Sequence, residues 1–274
     1  MALPGSAEAL APPLLGQKKA AAKPGKGKDK GKEKEEEATP GVLKKKVAPP
    51  PRGVKWGMSN EQIARVYDKV FDEEFVPLYK KVQPGPRMEA LDEELANKKQ
   101  LLRRSRLEFG ETPTGVDQSE LNGEYSYRNN ESMSKIRLRS GAARNYFFFE
   151  DRLWKVYEEY KLKKRGTLGE TYKDALQILT KKFGVAPIVL AADPEAQRPF
   201  DEALWHDGAT YVRVVNREHA KIVGVVWVDK SIQDNLATYR KNKAEDPRKT
   251  DKDVEHATRK QEEPPPADKG KKPQ

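Results

Sequence analysis

The sequence predicts a single α+β domain in which an antiparallel sheet of five to seven strands packs against three helices. Apolar residues recur at the spacing of one helix face in three stretches. Two of these stretches lie near the start of the predicted domain, and the third lies in its middle. Between and after these stretches, apolar and polar residues alternate as they do in half-buried strands. Short turn sequences join consecutive strands, and such turns force neighbouring strands to run antiparallel.

The two ends of the chain differ from its middle in charge and composition. Of the 274 residues, 35% are charged and 36% are hydrophobic, whereas an average globular chain is about half apolar and a quarter charged. The net charge of +10 lies entirely in the ends, since residues 56–229 carry 28 basic and 28 acidic side chains. Lysine-rich stretches broken by Gly and Pro bury too little apolar surface to offset the entropy of ordering. We therefore predict disordered tails at 1–52 and 241–274 around one domain at 53–240.

Two helices are predicted at the start of the domain. Ser59 stands three residues before Gln62, which is the spacing of a capping box, and it begins the first helix. The apolar stripe of this helix consists of Ile63, Val66, Tyr67, Val70, Phe71 and Phe75. A second helix is predicted from about Arg87 to Phe109. Its stripe is thin and consists of Met88, Leu91, Leu95 and Leu102.

A meander of strands is predicted after the second helix. The alternation of apolar and polar residues from Tyr125 to Tyr127, and again around Ile136, predicts two half-buried strands. Two further strands, Arg144–Phe149 and Leu153–Tyr157, are joined by a short loop. Strands connected in this way form an antiparallel meander.

A third helix and C-terminal hairpins complete the predicted domain. Thr167 precedes Glu170 by three residues, which predicts a capping box at the start of the helix, and Gly184 predicts its end. Asp207-Gly208 predicts a type I′ hairpin turn. The last predicted elements are strands at Thr210–Val215 and Lys221–Val228 and a short helix at Ser231–Tyr239.

Four consecutive aromatic residues, Tyr146 to Phe149, have two interpretations. Aromatic rings on a sheet next to arginines can stack single-stranded bases. On a strand, however, Tyr146 and Phe148 face one side while Phe147 and Phe149 face the other. One pair is therefore core, and the other pair is either covered by a helix, which we favour, or exposed as a base platform.

The sequence has few residues in arrangements typical of catalytic or metal-binding sites. The chain has no cysteine, so thiol nucleophiles, disulfides and zinc-thiolate sites are excluded. The three histidines, His206, His219 and His256, have no spacing typical of metal ligands, and the phosphate-loop, dinucleotide, serine-hydrolase and zinc-protease motifs do not occur. We predict that the protein is not an enzyme and uses no cofactor or metal. No apolar run of about 18 residues occurs, so no membrane span is predicted.

Two local patterns resemble small uncharacterised envelope or secreted α+β proteins of Gram-negative, myxobacterial-like bacteria. The first is Gly57-Met58-Ser59 followed by Glu61, similar to a "GMS-x-E" start of the first helix. The second is Thr171–Gly184 followed by Trp205 to Thr210, similar to their helix ending in "KYG" and the "W-x-D-G-x-T" hairpin after it. It is preceded by the "FFF-x-D-x-L-W-K-V" pattern at Phe147–Val156. The resemblance covers about residues 53–230 and implies an exported or anchored protein, but it transfers no catalytic residue.

The first residues leave the question of export open. Ala7-Glu8-Ala9 is similar to the small-residue cleavage region of a secretory signal. One hypothesis is that the printed start lies inside a longer signal peptide. The alternative is an ordinary Ala/Pro-rich tail.

Two functions are predicted as alternatives. The first is a non-enzymatic binding or structural module in the periplasm or cell envelope, held by flexible charged tails, that contacts a protein or envelope component. Its contact surface would be a sheet edge or the stripe of Met88, Leu91 and Leu95 on the second helix. The second is a cytoplasmic nucleic-acid-associated protein in which the tail lysines bind nucleic acid or another anionic surface. Its helical basic face would consist of Lys98, Lys99, Arg103, Arg104 and Arg106.

Overall fold

The computed structural model describes residues 39–138, 141–195 and 198–242. Eight strands form one antiparallel sheet: β1 Leu107–Glu108, β2 Glu131–Arg137, β3 Ala143–Phe149, β4 Arg152–Lys161, β5 Ile188–Leu190, β6 Glu202–His206, β7 Thr210–Arg217 and β8 Ile222–Asp229. Their order across the sheet is β1-β2-β3-β4-β8-β7-β6-β5. The predicted α+β class and antiparallel sheet are confirmed. The strand count exceeds the prediction because β1 and β5, at the two edges, are too short to show alternation.

The helices of the described residues are α1 Asn60–Tyr79, α2 Pro86–Arg104, α3 Tyr172–Phe183, α4 Lys230–Gln233 and α5 Leu236–Tyr239. Helices α1, α2 and α3 contribute to a core on one side of the sheet, here called the helix face. A second core lies on the opposite side, here called the cleft face, and is covered by the segment 107–130 together with α4 and α5. The sheet is therefore buried on both sides.

The aromatic run in β3 supplies both cores. Tyr146 and Phe148 belong to the core of the helix face, whereas Phe147 and Phe149 belong to that of the cleft face. All four side chains are buried. On the cleft face the cover is an irregular segment and short helices, with the Tyr239 ring 5.2 Å from that of Phe149. None of the four rings is exposed for stacking on a base.

The helix ends show which capping predictions hold. Ser59 and Gln62 form the predicted capping box of α1, and Gly184 ends α3 with a φ of 74°. The box predicted at Thr167 is wrong. The box of α3 lies four residues later, where the Thr171 hydroxyl accepts from the Asp174 amide and the Asp174 carboxylate accepts from the Thr171 amide, both at 3.1 Å. Both positions have the same Thr-x-x-acid spacing, so the pattern alone does not distinguish them.

Residues 39–52, assigned to the tail by composition, are part of the fold. The Leu43 amide donates to the His206 carbonyl at 2.8 Å, and the His206 amide donates to the Gly41 carbonyl at 2.7 Å. The Leu43 side chain is buried, and the Val47 carbonyl accepts from the Thr210 hydroxyl at 2.9 Å. The boundary at residue 52 is wrong because backbone hydrogen bonds hold this lysine-rich segment. The predicted tails at 1–38 and 243–274, with His256, lie outside the described residues.

Four further predictions are corrected by the structure. Helix α2 ends at Arg104, and the following Leu107–Glu108 pairs with β2 in place of the strand predicted at Tyr125–Tyr127. The Tyr125 ring instead stacks on Phe109, with 4.0 Å between centroids. In the β6–β7 hairpin only Gly208 has positive φ, so the turn is not type I′. The short helix predicted at Ser231–Tyr239 consists of two single turns, α4 and α5.

Candidate functional site

A cleft of about 490 Å³ opens on the cleft face, between strands β4, β6, β7 and β8 and the short helix α5. Its volume lies within the range of about 300–1,000 Å³ that is typical of small-molecule sites. We call it the charged cleft, after the ionisable side chains that line it: Glu124, Lys155, Arg198, Glu202, Arg213, Asp234 and Arg240. Its apolar lining includes Trp154, Leu190, Leu204 and Tyr211.

A β-bulge in β4 places two consecutive side chains in this cleft. Phe147 of β3 pairs with Lys155 and Phe148 pairs with Leu153, so Trp154 is the extra residue. Leu153 and Val156 then face the helix face, while Trp154 lies in the core of the cleft face and lines the cleft together with Lys155. The bulge thus brings a lysine amine next to an indole ring.

Lys155 is buried and paired with Glu124. The Lys155 Nζ lies 2.9 Å from Glu124 Oε2, and the two side chains are 4% and 6% exposed. The same amine also donates to the Glu124 backbone carbonyl. It lies 4.5 Å from the centroid of the Trp154 ring and 4.9 Å from that of Phe147, within the range of cation–π attraction. Lys155 is therefore held by one carboxylate and two rings.

Two arginines extend this pair into a network. Arg213 on β7 donates to Glu124 at 2.6 Å and to Glu202 at 2.8 Å. Arg240, which follows α5, pairs with Glu131 at 2.7 Å and donates to the Glu124 carbonyl at 3.2 Å. The network therefore connects the irregular segment before β2, the sheet and the C-terminal end of the described region.

Burial and neighbouring charges shift the pKa values of the central pair in the same direction. Burial opposes ionisation of Glu124, but the charges of Arg213 and Lys155 outweigh it and lower the pKa of this carboxyl to about 2. Burial also lowers the pKa of the Lys155 amine to about 8, against the attraction of Glu124. Both groups remain largely charged at pH 7, so the pair is ionic.

Two arginines that line the cleft, Arg198 and Arg240, use only some of their N–H groups in hydrogen bonds to the described residues. Arg198 uses Nε on the Ala191 carbonyl and lies 3.6 Å from Asp193, while its side chain is 25% exposed. Arg240 uses Nε and one terminal nitrogen, and its side chain is 20% exposed. The Trp154 Nε1 is buried with no hydrogen-bond partner among the described residues. A guanidinium carries five N–H groups, so these arginines retain donors for a further acceptor.

The stripe predicted as a partner surface lies half-buried on α2. Met88, Leu91 and Leu95 share this burial, and Leu95 packs against the core of the helix face. Polar contacts along the same pair of helices join α2 to α1, such as the hydrogen bond of 2.6 Å from the Tyr79 hydroxyl to Asp92. The stripe is therefore occupied at least in part by the protein itself.

Replacing Leu95 with Ser is expected to destabilise the domain by about 1–2 kcal/mol, because a half-buried apolar contact with the core is lost. Urea unfolding measures this change. The control is Leu101→Ser, since Leu101 is 54% exposed on the same helix, and it is expected to cost less than about 0.5 kcal/mol. Equal stability of the Leu95 variant and the wild type would leave the stripe available as a partner surface.

The five basic residues predicted to bind nucleic acid are mostly paired with acids. Lys98 lies 3.9 Å from Glu74, Lys99 lies 2.5 Å from Asp72, and Arg106 lies 2.6 Å from Glu108. Arg103 bonds both Glu61 at 2.8 Å and Asp68 at 2.9 Å. Arg104 is exposed and has no ion-pair partner among the described residues. The structure places four of the five on α2 and Arg106 just beyond its end, and acids of α1 and β1 neutralise Lys98, Lys99, Arg103 and Arg106.

The two described histidines lie at turns, as predicted from the sequence. His206 ends β6, and His219 lies between β7 and β8 with its ring stacked 5.3 Å from that of Phe200. Within the described ranges, no group of three or more His, Cys, Asp or Glu side chains is arranged to hold a metal ion. None of the helices in the same ranges is both long enough and apolar enough to cross a membrane.

The motifs that resemble envelope proteins have local structural roles here. Gly57 has a φ of 77° and Ser59 caps α1, while the Asp207 carboxylate accepts from the Ala209 and Thr210 amides at 2.9 and 2.7 Å. Comparisons with protein-family models, curated proteins and solved structures gave no match. The site must therefore be interpreted from its own chemistry.

Proposed function

We propose that this protein is a non-enzymatic binding module and that the charged cleft holds its ligand. The observation that carries the proposal is the combination of a ligand-sized cleft with aromatic walls and partly exposed guanidinium groups. Aromatic lining and a few placed polar groups are what small-molecule sites usually provide. Because the cleft is built on strands and fixed by ion pairs, it is formed before a ligand arrives.

The lining favours a ligand with an acidic group and an apolar body. Arg198 and Arg240 offer donors of the kind that bind carboxylates in a bidentate manner. Leu190, Leu204 and Tyr211 supply the apolar part of the wall. Such a ligand is a small aromatic or aliphatic acid, or an acidic side chain presented by an envelope component.

The contacts of the central lysine favour a structural role. The Lys155 amine is held by the Glu124 carboxylate at 2.9 Å and by the Glu124 backbone carbonyl, and its side chain is 4% exposed. We therefore assign Lys155 a structural role, which is to keep Glu124 and Arg213 in place.

A location in the periplasm or envelope remains part of the proposal. It rests on the motif resemblance and on the Ala7-Glu8-Ala9 pattern. Cell fractionation with mass spectrometry of the N-terminus tests it, and a periplasmic product that begins near Leu10 is expected. A cytoplasmic product that begins at Met1 would favour the nucleic-acid alternative, which the ion pairs of Lys98, Lys99, Arg103 and Arg106 otherwise weaken.

Phenylacetate is expected to raise the melting temperature of the protein, and phenylacetamide is expected not to. At one hundred times its Kd, a ligand adds about 2.7 kcal/mol to the stability of the folded state. Differential scanning fluorimetry over a concentration series measures the shift. Arg198→Gln is expected to weaken the response to phenylacetate at least tenfold, whereas Arg65→Gln, at a side chain 72% exposed on α1, is the matched control. An equal response to both compounds would contradict the assignment of the guanidinium groups.

A further inference from the structure

A second concave surface lies away from the charged cleft, between residues 42–47 and the C-terminal end of α3. It has a volume of about 410 Å³, and its lining contains four lysines and no acidic residue. Lys44 and Lys45 come from the N-terminal segment, whereas Lys181 and Lys182 come from the last turn of α3. We call it the basic groove.

The four lysines of the basic groove are uncompensated. All four are exposed, and none has an ion-pair partner among the described residues. The five basic residues predicted to bind nucleic acid differ in this respect, since four of them are paired with acids. Lys181 and Lys182 also offset the dipole at the end of α3, but that end carries only about half a negative charge. An anionic partner is therefore the electrostatic complement of this surface.

Exposed aliphatic side chains lie on the elements that carry these lysines and on the neighbouring edge strand. Val42 lines the groove and is 41% exposed, and Ile178 is exposed to the same extent one turn before Lys181 and Lys182 on α3. The neighbouring edge strand β5 contributes Val189, which is 65% exposed. A hydrogen bond of 2.7 Å from the Gly41 amide to the Ala186 carbonyl joins the N-terminal segment to the residues just before this strand. Apolar and cationic groups are thus combined on one surface.

We infer that the basic groove docks the protein onto an anionic lipid surface. Lysines next to exposed aliphatic residues are typical of proteins that lie in the membrane–water interface, where the aliphatic groups enter the headgroup region. Single-stranded nucleic acid fits less well, because its recognition uses exposed aromatic rings. The ring in the groove, Phe183, is only partly exposed and packs 5.2 Å from Trp205. The inference does not depend on a ligand in the charged cleft.

Vesicle co-sedimentation of the full chain tests this docking. Vesicles of phosphatidylglycerol and phosphatidylcholine are compared with vesicles of phosphatidylcholine alone, at low and high salt. Binding to the anionic vesicles is expected, with steep weakening by salt. Removing one lysine near an anionic surface weakens binding about fivefold, so the variant K44Q/K45Q/K181Q/K182Q is expected to bind roughly a hundredfold or more weakly.

A matched variant separates the groove from net charge. K80Q/K81Q/K163Q/K164Q removes the same charge from exposed lysines at the end of α1 and in the loop before α3, and is expected to lose less than about tenfold. The tails are identical in both variants. A groove variant that binds anionic vesicles as tightly as this control would overturn the inference.

A third variant distinguishes lipid from a polyanion. V42S/I178S keeps every charge and is expected to weaken vesicle binding at least about fivefold, because two aliphatic contacts with the lipid are lost. Melting temperatures within two to three degrees of the wild type, on the order of 1 kcal/mol, show that each variant is folded. Wild-type protein that binds a 20-base-pair DNA duplex but not the anionic vesicles would overturn the lipid assignment. Unchanged vesicle binding by V42S/I178S would overturn it as well.

Discussion

Replacing Glu124 with Gln is expected to destabilise the domain by about 3–5 kcal/mol, because it removes one partner of a buried ion pair. The Lys155 amine would be left at 4% exposure without a carboxylate, and Arg213 would lose one of its two acids. Urea unfolding followed by circular dichroism measures the loss. Glu108→Gln is the control, since Glu108 pairs with Arg106 at side chains 63% and 31% exposed, and it is expected to cost about 1 kcal/mol or less.

A double variant attributes this loss to the pair. Lys155→Met removes the buried cation, so Glu124→Gln combined with Lys155→Met is expected to be less destabilised than the sum of the two single variants. A difference of about 1–3 kcal/mol between the sum and the double variant is expected. Strict additivity would show that the two side chains do not interact.

The same carboxyl predicts a dependence of stability on pH. The pKa of Glu124 is about 2 in the folded state, against an ordinary value of 4.5, so the unfolded chain binds its proton more readily. The stability contributed by Glu124 is therefore fully present above about pH 4.5 and is lost as the pH falls towards 2. The loss is on the order of 3 kcal/mol. Urea midpoints measured between pH 6 and 2 test this. In Glu124→Gln, the fall in stability that comes from protonation of Glu124 is expected to be absent.

Replacing Gly224 with Val is expected to destabilise the domain by about 3 kcal/mol. Gly224 lies in β8, and a Cβ placed there would come within 2.4 Å of the Tyr157 Oη and 2.7 Å of its Cζ. The Tyr157 ring is fully buried, so it has little room to move away. Thermal unfolding measures the change.

Two further variants test the Gly224 explanation. Gly110→Val is the matched control, because a Cβ at Gly110 would meet nothing within 4 Å, and its cost is expected to stay below about 1 kcal/mol. Tyr157→Phe removes a buried hydroxyl that has no hydrogen-bond partner among the described residues, and is expected to be neutral or slightly stabilising. A marked loss of stability in Tyr157→Phe would mean that the hydroxyl has a partner in solution.

Sequence patterns predict those structural elements that depend on residues close together in the chain. The capping box at Ser59, the positive φ of Gly184 and the alternation through β3 were predicted because each depends on residues close together in the chain. Helix α2 shows the limit of this approach. Its apolar stripe was predicted, but whether α1 or another protein covers the stripe is a matter of tertiary packing.

The charged cleft was missed because its parts are distant in the sequence and depend on an irregularity. Regular alternation places Lys155 on the same face as Leu153, and the bulge at Trp154 separates them. Glu124 lies 31 residues from Lys155 and 89 from Arg213, so no spacing rule joins them. One feature of the sequence does indicate the cleft. Lys155 lies inside the apolar run of β4, and a lysine at such a position needs a buried partner.

The position of phenylacetate in crystals soaked with the compound tests the central claim that the charged cleft is a binding site. We expect electron density in the cleft, with the carboxylate within hydrogen-bond distance of Arg198 or Arg240 and the ring against Leu204 and Tyr211. Phenylacetamide soaked under the same conditions should leave the cleft without density for the compound. A cleft without phenylacetate at a saturating concentration, or phenylacetate bound only elsewhere on the surface, would contradict that claim.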